Sequence, residues 1–326
     1  LYYAGSIGKK SLGIENVVDH LIEINRLSLD DIPEEFIGDG PRGQRQRIQL
    51  EFTERKQEYF SDNMTEDLKW EYPLHFIDFE TATAALPYHK GMNPYEAVAF
   101  QWSCHTIREP GAEPEHFEWI NMNQIFPNFD FARALMDCIG VEGTVLMWAT
   151  HENTILRNVF NQMEKYNIED DVLKDWLKGI VKFGKDDKTR LLDMNRFTLE
   201  HYFHPKMKGK TSIKKVLPAV LYENSSTRIS RWLKEFDSKF SLLNEADGKI
   251  TDPYAQLPPL DIFNECEKYL KDGGGAMAAY QDILFGLRKN DAQSLKAYEK
   301  GLLNYCKLDT LAMVIIWEHW KTSLGV

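Results

Sequence analysis

Three short strings in this chain carry residue types that could hold a cation and activate water. In Phe76-Ile77-Asp78-Phe79-Glu80-Thr81, two acids alternate with apolar residues. On a β-strand successive side chains point to opposite faces, so Asp78 and Glu80 would share one face. Two carboxylates at that spacing in apolar surroundings repel unless a cation lies between them. A hard divalent ion such as Mg²⁺ or Mn²⁺ suits such oxygen ligands. Read alone, Asp-x-Glu is common and also fits the surface end of a strand. The second string is Tyr305-Cys306-Lys307-Leu308-Asp309-Thr310, within a stretch, Leu302 to Trp320, that reads as a helix. Four residues apart, Tyr305 and Asp309 share a helix face. In isolation they read as a core-edge tyrosine and a solvated aspartate. The third string, His151-Glu152-Asn153-Thr154, lies between an apolar run ending at Trp148 and a helix starting near Thr154. A carboxylate there can enter a cleft at the strand ends, or it can be a helix N-terminal charge favoured by the dipole.

These strings need a scaffold that brings them together. His75–Phe79 is a short apolar run, a buried strand. Ala97–Thr106 alternates Val98, Phe100, Trp102 and Cys104 on one side, the period of a strand. Glu115–Ile120 follows the Gly111–Pro114 turn as a third strand. A helix comes next, with Phe129, Ala132, Leu135, Met136 and Ile139 on one face. Thr144–Trp148 is a fourth strand, and Thr154–Tyr166 a second helix with Ile155, Leu156, Val159, Phe160 and Met163 inward. Thr189–Asp193 is a fifth strand, and the remainder is helical with irregular stretches. Three consecutive strands imply hairpins, and later strands separated by helices imply parallel crossovers. The fold class is therefore α/β: a mixed β-sheet flanked by helices, in the order expected of an RNase H-like fold. Residues 1–70 read as a helical N-terminal segment or linker, with helix-like spacing over Val17–Leu27 and Ile48–Phe60, broken by Pro33 and Gly38–Gly43. Residues 71–326 form the main domain, interrupted by an insertion at about 219–272 in which Ser230–Leu243 looks helical. Gly273-Gly274-Gly275 reads as a flexible turn before an Ala276–Leu284 helix, because it lacks the Lys-Ser/Thr of a P-loop.

Charge and cysteine usage narrow the function class. The net charge of −11 argues against a general electrostatic grip on nucleic acid. Metal ions can neutralise an acidic site and a substrate phosphate together, so a nuclease stays compatible. Any phosphate-tracking surface must then be local. Lys206, Lys208, Lys210, Lys214 and Lys215 fall within ten residues, and Thr211 or Ser212 is placed to start a short helix ending before Pro218. Backbone amides and lysines at such a start suit a phosphate, although a solvated basic loop is the plainer reading. Cys104, Cys138, Cys266 and Cys306 include no C-x-x-C pair, so reduced core thiols in a cytoplasmic protein are expected. No apolar run approaches the ~20 residues of a membrane span, and no signal peptide is visible. The chain starts at Leu1, from which a longer parent chain is expected.

The three strings resemble, in sequence order, the motifs of the DEDD exonuclease superfamily, which includes the proofreading exonucleases related to DnaQ. The third motif resembles that of the tyrosine subclass. The strings Tyr72-Pro73-Leu74-His75-Phe76-Ile77-Asp78-Phe79-Glu80-Thr81, Phe100-Gln101-Trp102-Ser103, Ser212-Ile213-Lys214-Lys215-Val216-Leu217-Pro218 and Tyr305-Cys306-Lys307-Leu308-Asp309-Thr310-Leu311-Ala312-Met313 also resemble a bacterial family of unknown function. That family is regarded as RNase H-like and is often joined to an upstream nuclease-like region. The resemblance runs from about Tyr72 to the C-terminus.

What the resemblance implies is a metal-dependent 3′→5′ exonuclease acting on the 3′ end of single-stranded DNA or RNA. Asp78, Glu80, Glu152 and Asp309 would hold two Mg²⁺ or Mn²⁺ ions, and Tyr305 would orient the attacking water. Thr81, Lys210, Ser212 and Lys214 would contact substrate, with His151 and Asp193 in support; Asp193 also reads as the cap of a helix starting near Asn195. Glu152 departs from the family, which usually has Asp there. That departure is what favours the alternative, a catalytically weak or inactive nucleic-acid-binding module of the same fold. A glycoside hydrolase also uses paired carboxylates, at separations of about 5–10 Å, but leaves Tyr305 and Asp309 without a role.

Overall fold

The computed structural model describes residues 14, 16–26, 28, 31–223, 226–246, 249–258, 273–286, 289 and 291–326. In chain order the elements are α1 (Val17–Glu23), α2 (Pro41–Arg55), β1 (Tyr59–Phe60), α3 (Met64–Asp67), β2 (Leu74–Ala82), β3 (Val98–Ile107), β4 (Glu115–Ile120), α4 (Asn128–Ile139), β5 (Thr144–Met147), α5 (His151–Lys165), α6 (Asp171–Ile180), β6 (Leu191–Asp193), α7 (Met194–His201) and β7 (Tyr202–Phe203). There follow α8 (Ile213–Glu223), α9 (Thr227–Lys234), β8 (Glu245–Ala246), β9 (Lys249–Ile250), α10 (Gly273–Phe285) and α11 (Ala292–Leu324). No helix among the described residues is long and apolar enough to cross a membrane.

The central sheet has the order β4-β3-β2-β5-β6. β2, β3 and β4 pair antiparallel, whereas β5 joins β2 in parallel and β6 joins β5 in parallel. The mixed α/β class and the boundaries of the five strands agree with the sequence reading to within a few residues. The apolar spacing of α4 and α5 sets one helical layer: Phe131, Leu135, Ile155 and Val159 pack with Ile77, Phe79, Trp102 and Val145 of the sheet. On the other face α8 and α11 pack against Phe76, and α10 against Ala82, Val98 and Phe100. β3 is therefore buried along its whole length, as expected of a strand covered on both sides.

Five local expectations require correction. Val98, Phe100, Trp102 and Cys104 do not share a face. Glu80 pairs with Gln101 but Thr81 pairs with Ala99, leaving Phe100 as the extra residue of a bulge. A bulge shifts the side-chain phase by one, so Val98 and Phe100 meet α10 while Trp102 and Cys104 meet α4. The helix expected over Ile48–Phe60 is instead α2. It starts on Pro41, whose fixed φ suits a first helical turn, and stops at left-handed Lys56; Tyr59–Phe60 then pairs with β7. The Ser230–Leu243 helix shortens to α9, beyond which the Asp237 carboxylate takes the Lys239 amide in a local turn. Pro218 does not end α8, which runs on to Glu223; burial of Val216, Leu217, Val220 and Leu221 offsets the one backbone bond proline removes. Gly273, Gly274 and Gly275 form the first turn of α10, where Tyr280 stacking on Phe100 at 3.9 Å outweighs poor glycine propensity.

α11 is pinned across the sheet by polar contacts. Gln101 Nε2 donates to the Leu302 carbonyl at 2.8 Å, and Thr310 Oγ1 lies 2.8 Å from Ser103 Oγ and 2.7 Å from His105 Nδ1. Buried polar groups left unpaired are costly, so these bonds fix the rotation and register of α11 over β2 and β3.

Candidate metal centre

β2 alternates between the two layers, and the face carrying Phe76 also carries Asp78 and Glu80. α11 crosses that face with Tyr305, Cys306 and Asp309 turned toward it. One carboxylate oxygen from each of Asp78, Glu80 and Asp309 lies within 4.8 Å of the others. Glu80 and Asp309 are buried and Asp78 is half-buried. Residues 231 positions apart therefore converge.

Glu152 lies in the first turn of α5, just beyond the end of β5. It is 2% exposed, and its Oε2 has no hydrogen-bond partner among the described residues. Its carboxylate falls outside the group of three defined by mutual 4.8 Å contact. Its charge nevertheless acts on Asp78, and the charge of Asp309 acts on it, so it is near enough to the cluster to be coupled to it electrostatically. The sequence places all four acids around one point; Asp78, Glu80 and Asp309 lie within 4.8 Å of one another, and Glu152 is not part of that group.

The electrostatics follow from burial. Desolvation pushes the Asp78 carboxyl well above the usual carboxylate range, and Asp309, Glu152 and Glu80 push it further. Glu152 is pushed up to about 8, chiefly by burial and then by Asp193 and Asp309, against backbone hydrogen bonds at Glu152 and Phe79. Asp309 is pushed up to about 6 by burial, moderated by a hydrogen bond from Tyr254 and the charge of Lys214. A cluster of this kind without a cation holds protons at neutral pH. Tyr305 is also raised, first by burial and then by Asp309 and Glu80, so it stays a phenol.

The remaining candidates occupy distinct surroundings. Thr81 Oγ1 lies 3.3 Å from His151 Nε2, which joins the residue after Glu80 to the one before Glu152. Asp193 caps α7 by accepting from the Asn195 and Arg196 amides, and it accepts from the Ala149 amide at 3.0 Å; its own contacts are those of a structural cap beside Glu152. Lys210 and Ser212 are exposed. Lys214 is half-buried and donates to the Tyr305 hydroxyl oxygen at 2.7 Å. Cys104 and Cys306 are buried free thiols and Cys138 a partly buried one; Cys266 lies outside the described residues.

Two participants escaped the sequence reading. The Cys306 thiol lies 3.3 Å from Asp78 Oδ2. Burial, and then Asp78, keep it a neutral thiol, so it donates to the carboxylate. Tyr254 lies in a 3-10 turn, Pro253–Gln256, and its amide donates to the capping Asp252 carboxylate. Its hydroxyl donates to Asp309 Oδ1. The insertion thus reaches the acidic cluster, a contact across 55 positions that no local spacing announces.

Residues 75–212 match the family model described as Domain of unknown function (DUF2779). No curated protein and no solved structure matches the chain. The matched stretch includes Asp78, Glu80 and Glu152 but stops before Lys214, Tyr254, Tyr305 and Asp309, so it is shorter than the resemblance read from the sequence.

Proposed function

We propose that this chain is a metal-dependent 3′→5′ exonuclease with an RNase H-like fold, acting on single-stranded nucleic acid. The observation that carries this reading is the convergence of three carboxylates, Asp78, Glu80 and Asp309, within 4.8 Å of one another. The donor set fits hard divalent ions, because every donor is a carboxyl oxygen, and a bound cation would compensate the buried charge that these groups carry once deprotonated. Asp78, Glu80 and Asp309 would hold Mg²⁺ or Mn²⁺, with Glu152 as the adjoining ligand. When bound, two such ions stabilise the attacking and leaving oxygens of a phosphodiester during in-line displacement. The sheet order, with three antiparallel strands followed by two parallel ones, is consistent with the RNase H-like class.

The protein's own residues supply position. Tyr305, kept protonated by burial, orients a water toward the terminal phosphorus. That water oxygen bonds to phosphorus as the bond to the 3′ oxygen breaks, and the 3′ oxygen leaves with a proton, releasing a nucleoside 5′-monophosphate. Thr81 and the exposed Lys210 and Ser212 are suited to contact the strand. The alternative, a binding module without turnover, is favoured by the position of Glu152 outside the three-carboxylate group. A glycoside hydrolase is disfavoured, because oxygens within 4.8 Å are closer than the roughly 5–10 Å between its two acids. Incubating the protein with 3′- or 5′-end-labelled DNA and RNA, in Mn²⁺ or EDTA, tests the proposal. Stepwise Mn²⁺-dependent loss of 3′ nucleotides is expected, and intact substrate in both conditions would remove the activity.

A further inference from the structure

Lys214 was expected to meet substrate phosphate from a basic loop, yet its ammonium points inward. Trp148 Nε1 donates to the Thr211 carbonyl at 3.1 Å, which ties the start of α8 to the end of β5. Lys214, in the first turn of α8, reaches Tyr305 Oη at 2.7 Å. Its Nζ lies 4.9 Å from the Tyr305 ring centroid and 5.3 Å from that of Tyr254. The two rings, 6.4 Å apart, flank the ammonium, and Tyr254 is itself anchored by its bond to Asp309. An ammonium has three donors and no acceptor. The bond to Tyr305 therefore occupies a lone pair of the phenol oxygen, and the phenol's own proton must point away from Lys214.

We propose that Lys214, braced by Tyr254, is a positioning residue that fixes the direction in which Tyr305 donates its hydroxyl proton. This rests on the exonuclease reading, in which Tyr305 orients water. Without Lys214 the hydroxyl rotates freely and the water loses its fixed approach; misplacement of about 1 Å at a reacting centre costs on the order of 100-fold. The role differs from a phosphate contact, which would act on affinity.

The test compares wild type, Lys214→Met, Tyr305→Phe and the double variant on a labelled single strand with Mn²⁺. Lys214→Met should lower kcat by about 10–100-fold while KM and the salt dependence of binding stay unchanged. In the Tyr305→Phe background the same substitution should have little further effect, since residues that act through one another are not additive. A raised KM, a salt slope flattened by about 0.7 and additivity with Tyr305→Phe would overturn the proposal and leave the exonuclease reading standing. Wild type that releases no nucleotide would overturn both. A measurement without turnover uses metal-free protein labelled with ¹³C at tyrosine Cζ. The resonance lost in Tyr305→Phe should move in Lys214→Met. If it stays in place while circular dichroism shows an intact fold, the proposal fails.

Discussion

Raising the pH from 6 to 8 should destabilise the metal-free protein and strengthen metal binding, and both effects follow from the same buried carboxyls. Glu152 has its folded pKa raised to about 8 from an ordinary 4.5. The folded state thus holds a proton that the unfolded chain has already lost. Stability from this group is complete below about pH 4.5 and declines as pH rises toward 8. Between pH 6 and 8 Glu152 alone costs about 2 kcal/mol, at about 1.4 kcal/mol per unit while the proton is retained. Asp309, raised to about 6, adds a few tenths of a kcal/mol across the same window. The melting temperature without metal should fall by roughly 3–8 °C. A cation displaces these protons. About one molecule in a hundred carries ionised Glu152 at pH 6 against about half at pH 8, so Mn²⁺ affinity should rise by roughly 50–100-fold. Thermal melts in EDTA and Mn²⁺ titrations by calorimetry at both pH values measure the two effects. Glu152→Gln should flatten most of the EDTA profile. A flat or rising metal-free stability, together with pH-independent Mn²⁺ binding, would refute the reasoning.

Other substitutions separate ligands, positioning groups and surface contacts. Asp78→Ala should abolish nucleotide release and Mn²⁺ binding, while the metal-free melting temperature holds or rises because repulsion in the cluster is relieved. Tyr305→Phe should slow turnover with little change in Mn²⁺ affinity measured by calorimetry; parallel loss of both would make Tyr305 a ligand. Lys210→Ala should weaken single-strand binding in fluorescence anisotropy and flatten the log–log salt slope by about 0.7, with turnover at saturation nearly unchanged. Asp193→Ala removes the α7 cap and should lower stability by about 1–2 kcal/mol in urea melts.

The strands and the paired helices were legible because their apolar periodicity is strong and local. Asp78 and Glu80 could be read from a single alternating string, since a strand forces i and i+2 onto one face. What escaped depended on tertiary context. The phase of β3 could not be read past Phe100, because the bulge is set by pairing with β2 rather than by the order of residues in β3. Pro218 looked like a stop, and only the burial of α8 on both sides of it explains continuation. The inward direction of Lys214 is fixed by Trp148 holding Thr211, 63 positions away. Tyr254 carried no signal at all, since it sits among polar and proline residues that read as an edge insertion. Of the acidic cluster, the residue types were legible, whereas the neighbours that shift their protonation were not.

Asp78 lies on the strand that opens the central sheet, while Asp309 lies on the helix that crosses it, 231 positions later. A ribosome adding about 5–20 residues per second needs roughly ten to fifty seconds to pass from one to the other. Throughout that interval the nascent polypeptide owns Asp78, Glu80 and then Glu152 but lacks the fourth acid and the phenol. On the proposed reading, an emerging chain surrounded by its own messenger and ribosomal RNA is harmless until α11 has been made and has docked. On that same reading, the late placement of Asp309 would delay the onset of hydrolysis until after translation of α11.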